Sequence, residues 1–364
     1  TKQQLLLKAI DLDPSNSHAY NNLATTLPDD GSITLLNGTT MTKQQLLLKA
    51  IDLDPSYSYA YNNLAATLPN NGSIRLLDGT TMTMQQLLLK AIDLDPSNSY
   101  AYYNLATTLP NNGSIELVDG TTMTTQQLYL KAIDLDPSNS AAYNNLACTL
   151  PDNGSITLLN GTTMEKAQLL RTAIKFNKQN SFAFNNLACI LHDNDPTKSV
   201  THSFFLRAIA NDPYNSHFYF NLATTLPNDG SITLLDRTTM TKTLNKQQLL
   251  LKAIELGTSD SLVYLHLAAT LPNNGSITLS DGTTITTQEL LLKAIDLDPS
   301  NLAAYSTLAS LLPNNGSITL LDGTTMTTQQ LLLKAQSELN PSASVVKQFR
   351  YIVNILNCGR FEEF

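Results

Sequence analysis

The chain has 364 residues; 42% are hydrophobic, only 14% are charged, and the formal net charge is −8. Charged residues normally make up about a quarter of a globular chain, so the polar surface has to come from Thr, Asn, Ser and Gln. The acidic balance argues against nucleic-acid backbones and anionic membrane surfaces, which call for a Lys/Arg surplus, and no apolar run approaches the ~18 residues of a membrane-spanning helix.

The chain opens inside a repeat. "TKQQLLLKAIDLDP" has neither the basic start nor the small-residue cleavage site of a signal peptide. The expectation is a soluble protein, with the compartment, cytoplasmic or extracellular, left open. Helix-ending prolines follow at Pro14, Pro55, Pro96 and Pro137, a period of 41 residues. The period loosens near Lys178, returns at Pro213, slips at Thr258 and resumes at Pro299 and Pro341. One array over 1–341 is expected, followed by a capping segment and tail over 342–364 that includes "SASVVKQFRYIVNILN".

Each unit has three parts. In "SNSHAYNNLATTL", Tyr20, Leu23, Ala24 and Leu27 share one helix face. In "TKQQLLLKAIDLD", starting at Thr42, Thr42 and Gln45 form a capping box, repeated as Thr83 with Gln86, Thr124 with Gln127 and Thr327 with Gln330. Leu46, Leu47, Leu48, Ala50, Ile51 and Leu53 leave that second helix little polar face, so it is expected between neighbours. The third part, "GSITLLDGTTMT" from Gly72, flanks Asp-Gly with β-branched residues and reads as a hairpin. A register that pairs Ile74 with Met82 and Leu76 with Thr80 puts the apolar side chains on one face and leaves position 75, Thr in most copies but Arg75 and Glu116 in two, to solvent. Eight helices of the first type, nine of the second and seven hairpins are expected.

The two helices resemble the tetratricopeptide repeat. "AYNNLATTL" is similar to that family's first helix through Tyr20, Leu23, Ala24 and Leu27, and "KAIDLDP" to the end of its second through Ala50, Leu53 and Pro55. The family unit is about 34 residues. The extra residues fall between the helices and form the hairpin, and "LACILHDNDPTKSVTHSFFLRAIANDP" lacks them. The resemblance implies a mainly α fold, an α-α superhelical solenoid of eight to nine repeats. A two-stranded hairpin is about 10 Å wide, and packed helices lie about 8–10 Å apart. Two arrangements are therefore open: the hairpins join as a continuous sheet along one flank, or twist mismatch keeps each as a separate spur.

No catalytic set is visible. His18, His192, His202, His217 and His266 are scattered; His192 and His202 bracket a loop with Asp193 and Asp195, which reads as solvated loop before it reads as a metal site. Cys148 and Cys189 hold equivalent helix positions in successive units and read as buried small residues. The Gly residues belong to turns rather than to a phosphate loop. No metal, cofactor or enzymatic activity is expected.

Asn22, Asn63, Asn104, Asn145, Asn186 and Asn221 recur at one equivalent position, replaced by His266 and Thr307 in the last two units. The family resemblance implies that such residues can form a ladder on the concave face, clamping the backbone of an extended peptide; the same residue also fits a role in buttressing the helix pair. Tyr103 and Phe220, one residue earlier, would add side-chain contacts. Seven Asn-X-Ser/Thr sequons, at Asn37, Asn71, Asn112, Asn153, Asn160, Asn274 and Asn315, fall in the inserts and are glycosylation candidates on a secretory route. The functional expectation is a non-catalytic scaffold for an extended protein segment. The alternative is a self-assembling structural protein whose copies stack end to end into filaments, extracellular and glycosylated.

Overall fold

A computed structural model describes residues 1–192, 198–235 and 241–336. The expected capping segment 342–364, the Arg237 turn and the Asp193/Asp195 loop lie outside the described residues. The second-type helices are α1 (Lys2–Leu12), α3 (Lys43–Leu53), α5 (Met84–Leu94), α7 (Thr125–Leu135), α9 (Lys166–Phe176), α11 (Ser199–Asn211), α13 (Lys246–Glu255), α15 (Thr287–Leu297) and α17 (Thr328–Gln336). They alternate with the first-type helices α2 (Ser17–Ala24), α4 (Ser58–Ala65), α6 (Ser99–Thr107), α8 (Ser140–Cys148), α10 (Ser181–Leu191), α12 (Ser216–Thr224), α14 (Ser261–Ala269) and α16 (Leu302–Leu311). The chain divides into two compact units, one over Thr1–Lys178 and one starting at Gln179.

Local chemistry starts each helix. Thr42 accepts from the Gln45 backbone N–H at 3.2 Å while the Gln45 side chain accepts from the Thr42 N–H at 2.8 Å, and the same reciprocal box opens α5, α7 and α17. First-type helices take Asn16, Asn98, Asn139 and Asn180 as N-caps. Packing then selects the faces. In α5, Leu87, Leu88, Ala91 and Ile92 are buried, because α5 lies against α4 before it and α6 after it. Tyr61, Leu64, Ala65 and Leu68 supply the opposing surface. A glutamine from several second-type helices locks this contact: Gln44 donates to the Thr67 carbonyl at 3.2 Å, Gln85 to the Thr108 hydroxyl at 3.2 Å and Gln126 to the Thr149 hydroxyl at 3.1 Å. These bonds reach the end of the next first-type helix, where carbonyls lack intrahelical partners.

Seven two-stranded hairpins lie among the described residues: β1–β2 (Ser32–Thr34, Thr40–Thr42), β3–β4 (Ser73–Arg75, Thr81–Thr83), β5–β6 (Ser114–Glu116, Thr122–Thr124), β7–β8 (Ser155–Thr157, Thr163–Glu165), β9–β10 (Ser231–Leu235, Thr241–Asn245), β11–β12 (Ser276–Thr278, Thr284–Thr286) and β13–β14 (Ser317–Thr319, Thr325–Thr327). Ile74 pairs with Met82 and Arg75 with Thr81. The Leu76 N–H then donates to the Thr80 carbonyl at 2.7 Å, and Gly79 closes the loop at φ +92°. That is the expected register. Leu76 is buried and Arg75 exposed, so the alternation sends apolar side chains toward the helices.

Among the described residues the hairpins do not join. Each is its own sheet, so the continuous flank sheet gives way to separate spurs. The physical reason is that each hairpin is fused to one helix. Thr83 is both the last residue of β4 and the N-cap of α5, and the Met84 N–H donates to the Gly72 carbonyl at 3.1 Å. Helix packing therefore dictates where a hairpin sits, and three-residue strands offer too few ladder bonds to pull it toward its neighbour.

Gly72 is required at that junction, since a Cβ there would lie 2.8 Å from the Pro69 carbonyl oxygen. Gly72→Ala is expected to cost about 1–3 kcal/mol through this forced contact. Urea unfolding monitored by circular dichroism checks it; a change within ~0.5 kcal/mol, the range of ordinary surface substitutions, would contradict the account.

Candidate functional site

In the first unit, Asn22, Asn63, Asn104 and Asn145 each lie one helical turn after His18, Tyr59, Tyr100 and Ala141. Asn22 is exposed, Asn63 and Asn104 are half-buried, and Asn145 is buried. Their amides link successive repeats. The Asn104 Nδ2 donates to Asn62 Oδ1 at 2.9 Å, Asn62 Nδ2 to Asn63 Oδ1 at 3.2 Å, Asn63 Nδ2 to Asn21 Oδ1 at 2.8 Å, and Asn21 Nδ2 to Asn22 Oδ1 at 3.3 Å. The result is one chain of amide groups across three repeats. Asn21 and Asn62, just before the ladder positions, are buried and supply the acceptors. Buried amides are costly unless paired, so the tandem Asn-Asn satisfies itself across the repeat interface.

Tyr103 replaces the buried Asn in the third repeat. Its hydroxyl accepts from Asn145 Nδ2 at 3.3 Å, which keeps the link intact. Burial holds the Tyr103 phenol above its ordinary value, with the Asn145 bond opposing. In the second unit, Asn186 and Asn221 are buried; Asn185 Nδ2 donates to Asn186 Oδ1 at 3.4 Å and Asn221 Nδ2 to Asn185 Oδ1 at 3.0 Å. His266 takes the next ladder position, edge-on to Phe220 at 5.4 Å between ring centroids. Phe220 is buried. Burial, with Lys246 nearby, lowers the His266 pKa, and burial lowers that of His217 against the pull of Asp260.

The exposed aromatic side chains on this face are Tyr59 (41% exposed) and Tyr100 (53%). They stand one turn before ladder asparagines, where sequence reasoning looked only one residue before. The usable signal was the i, i+4 spacing. The seven sequon asparagines are all exposed at turns. His202 meets the Thr225 hydroxyl at 2.9 Å, the place the glutamines take in other repeats. Cys148 is buried, Cys189 half-buried, and neither forms a disulfide. Among the described residues no His/Cys/Asp/Glu group is placed to hold a metal ion, and no helix is long and apolar enough to cross a membrane.

The sequence profile of the tetratricopeptide repeat matches residues 5–45, 46–76, 87–117 and 128–166. No curated protein sequence matches the chain. Among solved structures, the chain is similar to the APC/C hetero-tetramer Cut9-Hcn1, at 14% identity and a TM-score of 0.55, covering 85% of this chain and 52% of that one. It is also similar to an IFIT1 monomeric mutant with m7Gppp-AAAA (13% identity, TM-score 0.45, 92% and 66% covered) and to yeast Tom70 (17%, 0.33, 98% and 57%). The chain thus spans about half the length of the Cut9-Hcn1 chain it matches. Within residues 5–166 the chain carries repeats of the tetratricopeptide family, and a β-hairpin stands between the helices of these repeats. Proteins of this family typically act as scaffolds for protein–protein interaction.

Asn62→Leu would leave Asn104 Nδ2 without its acceptor and Asn63 Oδ1 without its donor; a loss of about 1–3 kcal/mol is expected. Asn62→Tyr copies the third repeat and is expected to cost less, a ranking that chemical denaturation of the two variants reads directly. Proton linkage gives a second outcome. His217 and His266 are held below 6.5 in the folded chain, so below that pH the unfolded chain binds protons that the folded chain refuses. Stability of the second unit falls as pH drops through 6.5 toward the folded values. Burial raises the Asp260 carboxyl above 3.8, which works the other way between 3.8 and its raised value. Thermal melts from pH 8 to pH 5.5 are expected to show the decline, with a shallower slope in His266→Asn.

Proposed function

We propose that the chain is a non-catalytic interaction scaffold that binds an extended protein segment on the concave, first-helix face. The observation that supports this most is the exposed line on successive helices of the first unit, Tyr59 and Tyr100 each one turn before Asn63 and Asn104. An amide carries two N–H donors and two acceptor lone pairs. After the links between repeats, Asn63 and Asn104 each retain an N–H, and Asn22 retains both, so all three can meet peptide groups whatever the side chains. Tyr59 and Tyr100 add large contact areas at low entropic cost.

Direct contacts in this proposal fall on Asn22, Asn63 and Asn104. Asn145, Asn186 and Asn221, buried at the same helix position, hold the stack from beneath. The partner is a protein or peptide rather than a nucleic acid, because the net charge of −8 disfavours a phosphate backbone.

A peptide array probed with the full chain tests the proposal. Tyr59→Ala with Tyr100→Ala is expected to weaken peptide binding at least about tenfold, as removal of interface aromatics does, with the thermal midpoint nearly unchanged. Binding that ignores both tyrosines and Asn22→Ala would refute this face. Negative-stain electron microscopy on the same material separates the alternative, since end-to-end stacking grows filaments without any peptide.

A further inference from the structure

The hairpins carry a second surface. Their inner faces are covered by the helices, alternation turns Ser73 and Arg75 outward together, and Leu77 follows in the exposed turn beyond the strand. One apolar side chain per repeat therefore stands in solvent beyond the last ladder pair: Leu36, Leu77, Val118 and Leu159, each 56–61% exposed. These four hairpins all belong to the first unit. Apolar side chains spaced evenly along a polar Thr surface are a contact pattern that lacks its counterpart within the unit.

The outward residues form a near-palindrome along the array. The first and fourth hairpins are identical over ten residues, "SITLLNGTTM", with Thr34 and Thr157 outward and Asn37 and Asn160 at the turn. The second and third differ from them, with Arg75 and Glu116 at the equivalent outward position and Asp78 and Asp119 at the turn. Arg75 and Glu116 are the two charged residues at that position among the seven hairpins, and they are opposite in sign. Among the described residues they form no ion pair. Arg75 instead leans over its own turn, its Nε donating to the Gly79 carbonyl at 3.2 Å.

We propose that the outer faces of the first four hairpins form an isologous interface with a second copy of this chain, the two arrays running in opposite directions. Two face-to-face arrangements have two-fold symmetry. If repeat order is parallel, Arg75 meets Arg75 and Glu116 meets Glu116. If repeat order is reversed, each Arg75 meets the second copy's Glu116, Leu77 meets Val118, Leu36 meets Leu159 and Thr34 meets Thr157. The charges select the reversed arrangement, and equal repeat spacing in both copies keeps all four apolar pairs in step. Asp78 and Asp119 also approach across this axis; the Arg75 guanidinium, drawn over the Gly79 turn, offsets that repulsion. A copy of the chain is the natural occupant because its own 41-residue repeat reproduces the spacing of the four points.

The surface is independent of the first-helix face, so failure of one reading leaves the other standing. Sugars at Asn37 or Asn160 would obstruct the outer hairpins, so the test uses the unglycosylated 364-residue chain. Sedimentation equilibrium is expected to show a monomer–dimer equilibrium that stops at two copies and weakens with salt. Arg75→Glu or Glu116→Arg alone should weaken it about tenfold, since each change affects two symmetry-related pairs. The double variant, Arg75→Glu with Glu116→Arg, should return to within about threefold of the parent. Leu77→Asp with Val118→Asp should leave a monomer with an unchanged circular dichroism spectrum. A monomer up to about 100 μM, in the range where weak contacts still register, would overturn the proposal. So would a dimer indifferent to the charge reversals, or no recovery in the double variant.

Discussion

Leu87, Leu88 and Ala91 of α5 are fully buried between α4 and α6, and this apolar seal is what the remaining structure depends on. First-type helices of eight to eleven residues are shorter than the ~12–15 residues at which an isolated helix becomes even marginal in water. Each exists because its neighbours bury its face. Stability is accordingly carried repeat by repeat along the array, as nearest-neighbour contacts. The glutamine locks, the capping boxes and the fused hairpin stems then fix the angle at which each seal is made.

The tandem asparagines belong to the same logic. A polar pair at a helix-stacking interface is tolerated because each amide finds its partner one repeat away. In the proposed scaffold this couples recognition to folding: the side chains proposed to meet a peptide are the outer members of a network whose inner members link neighbouring repeats. Where the outer member is itself buried, as at Asn145 and Asn221, the network does the structural part alone.

The hairpins add a polar flank of a different kind. In several of them Thr hydroxyls pair across the strands, as at Thr34 and Thr40 at 2.9 Å and Thr157 and Thr163 at 2.9 Å, which gives a low-charge surface. Lysine–aspartate pairs one turn apart, such as Lys49 with Asp52 at 2.8 Å, are exposed and contribute little.

Much of the fold was legible from the sequence by itself. The 3.6-residue pattern, the Thr-x-x-Gln boxes and the Asp-Gly and Asn-Gly turns pointed to eight and nine helices, seven hairpins and their register, because caps and turns are local chemistry that recurs along the array. Tertiary structure decided what local rules do not reach. Whether hairpins join depended on helix packing, which places each stem through a shared cap residue and outweighs a ladder three residues long. Whether Asn22 or Asn145 faces water depended on the side chains of the repeat before it, as with Tyr103 against Asn145. The aromatic surface fell to Tyr59 and Tyr100 rather than to Tyr103 and Phe220 because burial at a stacking interface is set by two repeats together, and a repeat read alone contains only half of that contact.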